Sequence, residues 1–177
     1  MIQSRYYTAG REGKKVSLIV MHTMESPEKP DTAESVAAWF AVGPAKSSVH
    51  YCTDTNSSVR CVKETDTAWH SGHWPTNLRS IGIELAGQAG QTKAQWHDSY
   101  SVNELKQAAR LVALLVRRYN IPILHLSPKQ LAAGGSGICG HVDVTAAFNV
   151  AGGHTDPGPN FPWADFLQLV KTMSKIK

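Results

Sequence analysis

No stretch of this chain has enough consecutive apolar residues to cross a membrane, and its opening, MIQSRYYTAGREGKKV, lacks the apolar segment that a secretory signal needs. A protein made in soluble form and not exported by the general route is therefore expected. Cysteine is scarce: Cys52, Cys61 and Cys139 form an odd set with no CxxC pair, which argues against a thiolate zinc knuckle and against a disulfide scaffold. Internal repeats and interdomain linkers are also missing. What is there, 177 residues with 42% hydrophobic and 18% charged, fits one globular domain spanning 1–177 around a single core. A formal charge of +4 and a pI near 9.0 would suit a polyanionic partner, but the basic residues are scattered as on an ordinary solvated surface.

The segments alternate between strand-like and helix-like patterns. VSLIVMH, Val16 to His22, is an apolar run rich in β-branched residues, the signature of a strand buried on both faces, with His22 at its far end. In HYCTDTNSSVRCV two short strands joined at Asn56-Ser57 predict a hairpin that sets Cys52 opposite Cys61; in a reducing cytosol two buried thiols are favoured over a disulfide. Asp31, Thr32 and Glu34 can cap a helix running to about Val42. Ser101-Val-Asn-Glu104 is a capping-box pattern ahead of Val102, Leu105, Ala109, Val112 and Val116, one face of a helix ending near Tyr119 and Asn120. A final amphipathic helix is expected from Trp163 toward Met173, and AAGGSGICG reads as a glycine-rich loop. The order predicts an α/β fold, a central mixed β-sheet flanked by helices.

Three places carry candidate chemistry. On a strand SIGIELAG, Ile81, Ile83 and Leu85 face one way and Gly82, Glu84 and Ala86 the other, so a carboxylate sits between two of the smallest residues with room for a ligand beside it. A solvated strand face is the plain alternative. GGHTDPGPNFPW cannot propagate a helix or pair as a central strand, so it is a stiff loop, and it carries His154 and Asp156. Of eight histidines, context lifts His22, at the end of a buried strand, and His141, only 15 residues before Asp156. Two imidazoles and a carboxylate match a catalytic zinc site with one position open, although their dispersal makes the spacing alone a weak signal.

VMHTMES, SSVHYCTDTNSSV, TAWHSGHW, SIGIELAG, GHVDV and TDPGPNFPW, in this order across most of residues 16 to 163, resemble the zinc-dependent N-acetylmuramoyl-L-alanine amidases of the type 2 amidase family, whose fold peptidoglycan recognition proteins and many phage endolysins share. The resemblance implies a zinc site in a cleft at the sheet surface, with Zn2+ on His22, His141 and Asp156 and with Glu84 as the catalytic carboxylate. Many relatives carry a lysine where this chain has His154, so the oxyanion role passes to an imidazole N–H. Trp69, His70, His73, Trp74, Asn77 and Arg79 fall in a loop-like stretch, and His70, Trp74, Asn77 and Arg79 are the expected substrate contacts. His50 and Tyr51 are expected to pack, and His97 and His125 receive no role.

The implied activity is hydrolysis of the lactyl–L-alanine amide of bacterial peptidoglycan. The expected protein is a monomeric phage or prophage lysin with no nucleic-acid partner, no membrane insertion and no separate wall-binding domain, held in the host cytoplasm until lysis. Two alternatives stay open: a cytosolic amidase recycling muropeptides, and a module that binds peptidoglycan without cutting it. The intact set of His22, His141, Asp156 and Glu84 argues against the latter.

Overall fold

The computed structural model describes residues 1–43 and 45–175. Its sheet contains β1 (Leu18–Thr23), β2 (Tyr51–Thr53), β3 (Ser58–Arg60), β4 (Ser80–Leu85) and β5 (Gly137–Gly140), in the order β3-β2-β4-β1-β5. Only the β2–β3 pair is antiparallel; β1 runs parallel to both β4 and β5, and β2 runs parallel to β4. The predicted mixed sheet is therefore present. Every residue of β1 is buried, as its continuous apolar run requires of a strand covered on both faces. Among the described residues six α-helices accompany the sheet: α1 (Thr32–Val42), α2 (Trp74–Arg79), α3 (Ser99–Tyr119), α4 (Pro128–Ala132), α5 (His141–Phe148) and α6 (Trp163–Ser174). None among the described residues is long and apolar enough to cross a membrane.

The strands' period of two divides the interior unequally. Ile19, Met21, Ile81, Ile83 and Leu85 point into a large core closed by Leu105, Ala109, Val112 and Val116 of α3, with Phe166 and Val170 of α6 behind it. On the opposite face the apolar contacts split into two smaller groups. Leu18, Val20 and Cys139 pack under Leu131 of α4 and Val144 of α5, while Cys52 packs under Ala33, Ala37 and Phe40 of α1. The expected single core is thus three clusters, and the polar ends of β1 and β4 lie on the face that has two.

Several local expectations are corrected. The hairpin turns one residue earlier than Asn56-Ser57, because Asp54 Oδ1 accepts the Asn56 and Ser57 amides at 3.0 and 2.9 Å and its own N–H donates to the Ser57 carbonyl. Cys52 accordingly pairs with Val59, not Cys61. Both thiols are free and buried, their sulfurs 3.7 Å apart. Helix α3 begins at Ser99, capped by Asp98, which accepts the Ser101 N–H at 2.9 Å, so Ser101 and Glu104 form no capping box. Trp74 to Arg79, read as loop, is helix α2, with Pro75 in its first turn where a missing N–H costs nothing. The glycine-rich segment contains β5, held by pairing to β1 and by Leu126 N–H to Ile138 O and Ile138 N–H to Leu124 O.

Glu104 faces inward from α3 with 0% exposure, and neither of its carboxylate oxygens has a hydrogen-bond partner; the nearby Ala86 N–H is given to the Thr53 carbonyl. Burial pushes its pKa well above the ordinary carboxylate range, with Glu28 and Asp54 adding to the effect. The folded chain therefore keeps a proton that the unfolded chain releases above about pH 4.3, so stability falls as pH rises through that range. Glu104→Met, similar in volume and free of the buried polar oxygens, should stabilise the fold by about 1–3 kcal/mol near pH 8 and by less at pH 5. Urea unfolding at the two pH values checks this; equal gains at both, or a loss at pH 8, would contradict it.

Candidate active site and metal centre

The parallel register sets His22 of β1 directly beside Glu84 of β4, both on the face with two small cores. Strand β5 ends next to them and passes straight into α5, whose first residue is His141. Asp143 secures this junction: its carboxylate accepts the Gly140 N–H at 2.8 Å and contacts His125 Nε2 at 2.8 Å, while the His125 ring stacks on Trp163 at 3.9 Å. Asp156 enters from the loop ahead of α6. The Val142 N–H donates to its carbonyl at 2.9 Å, and Pro157 sits so close to Gly140 that a Cβ there would meet the ring at 2.7 Å. Two glycine-proline segments of the sequence thus explain one another: Gly140 leaves the space in which the Asp156 loop docks.

The resulting cluster is compact. His22 Nδ1 is 2.9 Å from Asp156 Oδ2, His141 Nδ1 is 3.2 Å from Asp156 Oδ1, and one ligand-capable atom from each of the three residues lies within 4.8 Å of the others. All three are buried. Burial acts to raise the Asp156 pKa, but hydrogen bonds from His141 and His22 outweigh it and hold the carboxyl ionised far below its ordinary range. Burial likewise holds the His22 ring neutral against the pull of Asp156. His141 Nε2 is buried without a partner. Two imidazoles, one of them with an unused ring nitrogen, and an ionised carboxylate form a donor set that fits a zinc ion.

Beside this cluster is a cleft of 230 Å3 lined by His22, Glu84, His141, His154 and Asp156, with Phe40, Trp69 and His70 in its walls. Glu84 Oε2 is buried with no hydrogen-bond partner, and burial, reinforced by Asp156 and Glu25, raises its pKa well above the ordinary value. His154 is half exposed; its ring lies face to face with that of His141 at 4.0 Å, and its Nδ1 is 3.8 Å from Asp156 Oδ1. Burial and the neighbouring His141 lower its pKa, which favours a neutral ring.

The four expected substrate contacts part company. His70 lines the cleft, its Nδ1 3.0 Å from His22 Nε2. Asn77 is buried and accepts from the Ser71 N–H at 3.0 Å and the Ser71 hydroxyl at 2.7 Å, so it braces the loop behind the cleft. Arg79 immediately precedes β4, at the strand end opposite Glu84, and donates to the carbonyls of Gly134 and Gly135. Trp74, which opens α2, is absent from the cleft lining. Conversely, Phe40, Ser48 and Glu25 line the cleft without having announced themselves in the sequence. Phe40 looks like any other apolar position of α1. Ser48 accepts the Trp69 N–H at 2.8 Å, a contact 21 residues apart.

The chain and its fold have counterparts among known proteins. A curated relative, N-acetylmuramoyl-L-alanine amidase A of Achromobacter lyticus, is 26% identical over 94% of this chain and 88% of its own length. Among solved structures, the Staphylococcus aureus hydrolase AmiA in complex with its ligand superposes with a TM-score of 0.73 at 14% identity, covering 97% of this chain and 80% of that one. A mutant endolysin from Bacillus subtilis gives 0.61 at 16% identity over 96% and 91%. The profile of one family, N-acetylmuramoyl-L-alanine amidase, matches residues 12–159, a span that takes in β1, β4, the start of α5 and the loop holding Asp156, and the chain belongs to that family.

Proposed function

We propose that this chain is a zinc-dependent amidase that hydrolyses the amide between the muramic acid lactyl group and L-alanine, and that it serves as a phage or prophage lysin with residues 1–177 as one catalytic domain. The observation that carries the reading is the convergence of His22, His141 and Asp156 within 4.8 Å beside the unpartnered Glu84 carboxylate. Zinc held by those three side chains would polarise the amide carbonyl and lower the pKa of a water toward 7. Glu84, with proton affinity raised by burial, takes the proton from the attacking water and delivers it to the departing alanine nitrogen. His154, neutral and stacked on His141, offers an N–H to the carbonyl oxygen as negative charge develops there.

A feature of the surface favours a polymeric substrate over a small recycled muropeptide. A second cleft of 300 Å3 shares Phe40 and Glu84 with the first and is lined further by Met24, Val36 and Trp39, the indole 44% exposed. Substrate can therefore extend to both sides of Glu84, and an exposed indole offers a large contact surface for it. Trp39→Ala should raise KM for intact cell walls by about tenfold while leaving turnover of a soluble muramyl peptide nearly unchanged. An equal effect on both substrates would favour the recycling alternative.

Metal dependence is checked by exhaustive chelation, which should abolish activity until zinc is restored, and by His141→Ala, which should fail to retain the metal. Digestion should release amino groups on L-alanine without new reducing sugar ends. Glu84→Gln should keep its zinc and lose about 10²–10⁴-fold in turnover; loss of metal together with activity would reassign it as a ligand.

His154→Ala should lower kcat by about 10–10³-fold with little change in KM or zinc content, and His154→Lys should recover much of that loss. A lysine variant that holds zinc yet is as inactive as the alanine variant would remove His154 from the oxyanion role.

A further inference from the structure

We propose that His70 is a positioning residue that sets the tautomer of His22 and reverses its own tautomer when the metal site is filled; the proposal rests on the zinc reading above. The structure contains a continuous chain of side chains leading away from the cluster. His22 Nδ1 faces Asp156, His22 Nε2 is 3.0 Å from His70 Nδ1, and His70 Nε2 is 2.9 Å from Ser80 Oγ. The two rings meet edge to face at 5.1 Å. Ser80 is fully buried and His70 is 9% exposed, so bulk water does not compete freely for these contacts.

The seat of His70 is closely fitted. A Cβ on Gly82 would meet the His70 ring at 2.7 Å, so the glycine in SIGIELAG makes the space that the ring fills. His50 lies edge to face against the same ring at 5.8 Å and is itself fixed, its Nδ1 accepting the Gly82 N–H at 3.0 Å. Ser71, the next residue in the chain, is held by Asn77 through both its N–H and its hydroxyl. His70 thus has little freedom to present any atom but Nδ1 to His22.

A neutral imidazole has one N–H and one lone pair, so this chain has only two consistent directions. When His22 Nδ1 donates to Asp156, His22 Nε2 accepts from His70 Nδ1–H, and His70 Nε2 accepts from the Ser80 hydroxyl. When His22 Nδ1 gives its lone pair to a cation, its proton sits on Nε2 and donates to His70 Nδ1; the His70 proton is then on Nε2 and donates to Ser80 Oγ. Each ring carries one proton in both arrangements. Metal-ligating histidines usually direct their second N–H to a carboxylate, a carbonyl or water, and removing such a partner typically costs 10–100-fold in metal affinity. Here the partner is another imidazole, which can reverse.

Nitrogen-15 shifts of the His70 ring, measured in the chelated chain and again after zinc loading, test the reversal directly. The expected result is a protonated Nδ1 in the first and a protonated Nε2 in the second; an unchanged tautomer overturns the proposal. Zinc affinity by competition with a chromophoric chelator tests the positioning role. His70→Leu should bind zinc 10–100-fold more weakly, whereas His70→Asn, which keeps an amide near the Nδ1 position, should stay within a few-fold of the parent. Undiminished affinity in His70→Leu, or equal loss in both variants with unchanged circular dichroism, contradicts it. If the unmodified chain takes up no zinc at all, the zinc reading itself fails, and that outcome is distinct from a zinc-binding chain in which His70 is indifferent.

Discussion

The structure is organised around one buried carboxylate. Asp156 arrives from a loop 134 residues away from His22 and places its two oxygens between His22 and His141. An ionised carboxylate so largely buried is tenable only where its oxygens meet compensating partners. The imidazoles provide this, and the demand fixes three elements relative to one another: the end of β1, the start of α5 and the loop before α6. The glycines that permit close approach follow from the same demand. Gly140 admits Pro157, and Gly82 admits the ring standing behind His22.

The unequal division of the interior makes room for this polar cluster. One face of the sheet is closed by a long helix and a continuous apolar core, which supplies the bulk of the hydrophobic stabilisation. The other face is covered at its two sides, under α1 and under α4 with α5, and the C-terminal ends of the central strands β1 and β4 come up between. Ligand sites of open parallel sheets favour such strand ends, because helices set on either side cannot close over them. A cleft there can be polar without weakening the principal core, which lies on the opposite face.

What was legible in the sequence followed strong periodicity or strong local stereochemistry. The apolar run of β1, the alternation that turns Glu84 away from the core, and the 3.6-residue pattern of α3 each fix an element and a face. The stiffness of the loop holding Asp156 was equally plain from its prolines. Features governed by long-range contacts were not. Strand β5 is half glycine, and its pairing to β1 leaves no side-chain signature. Asp54 shifted the hairpin by capturing two amides, a choice that Asn56 and Ser57 concealed by being good turn residues themselves. Helix α2 is too short for a period to show. Asn77 and Arg79, polar and close in sequence to the Glu84 strand, looked available for substrate, yet their partners are Ser71 and the carbonyls of Gly134 and Gly135. Polarity identifies a residue that needs a partner and says nothing about whether the fold has already provided one.

The same principle separates the two carboxylates of the cleft. Asp156 and Glu84 are both acidic side chains withdrawn from water, but one is met by two imidazoles and the other has an oxygen with no partner. Their proton affinities move apart in consequence, Asp156 downward and Glu84 upward. A carboxylate whose pKa is held far below its ordinary range suits the lasting binding of a cation. One whose affinity for a proton has been raised well above that of an ordinary carboxylate is better suited to accept a proton and pass it on. Their surroundings therefore support the proposed assignment of the first to the metal and the second to proton transfer. That assignment also gives the register of β1 and β4 a chemical meaning under the proposed mechanism, because that register puts Glu84, the residue proposed to move the proton, next to His22, one of the three residues proposed to hold the metal.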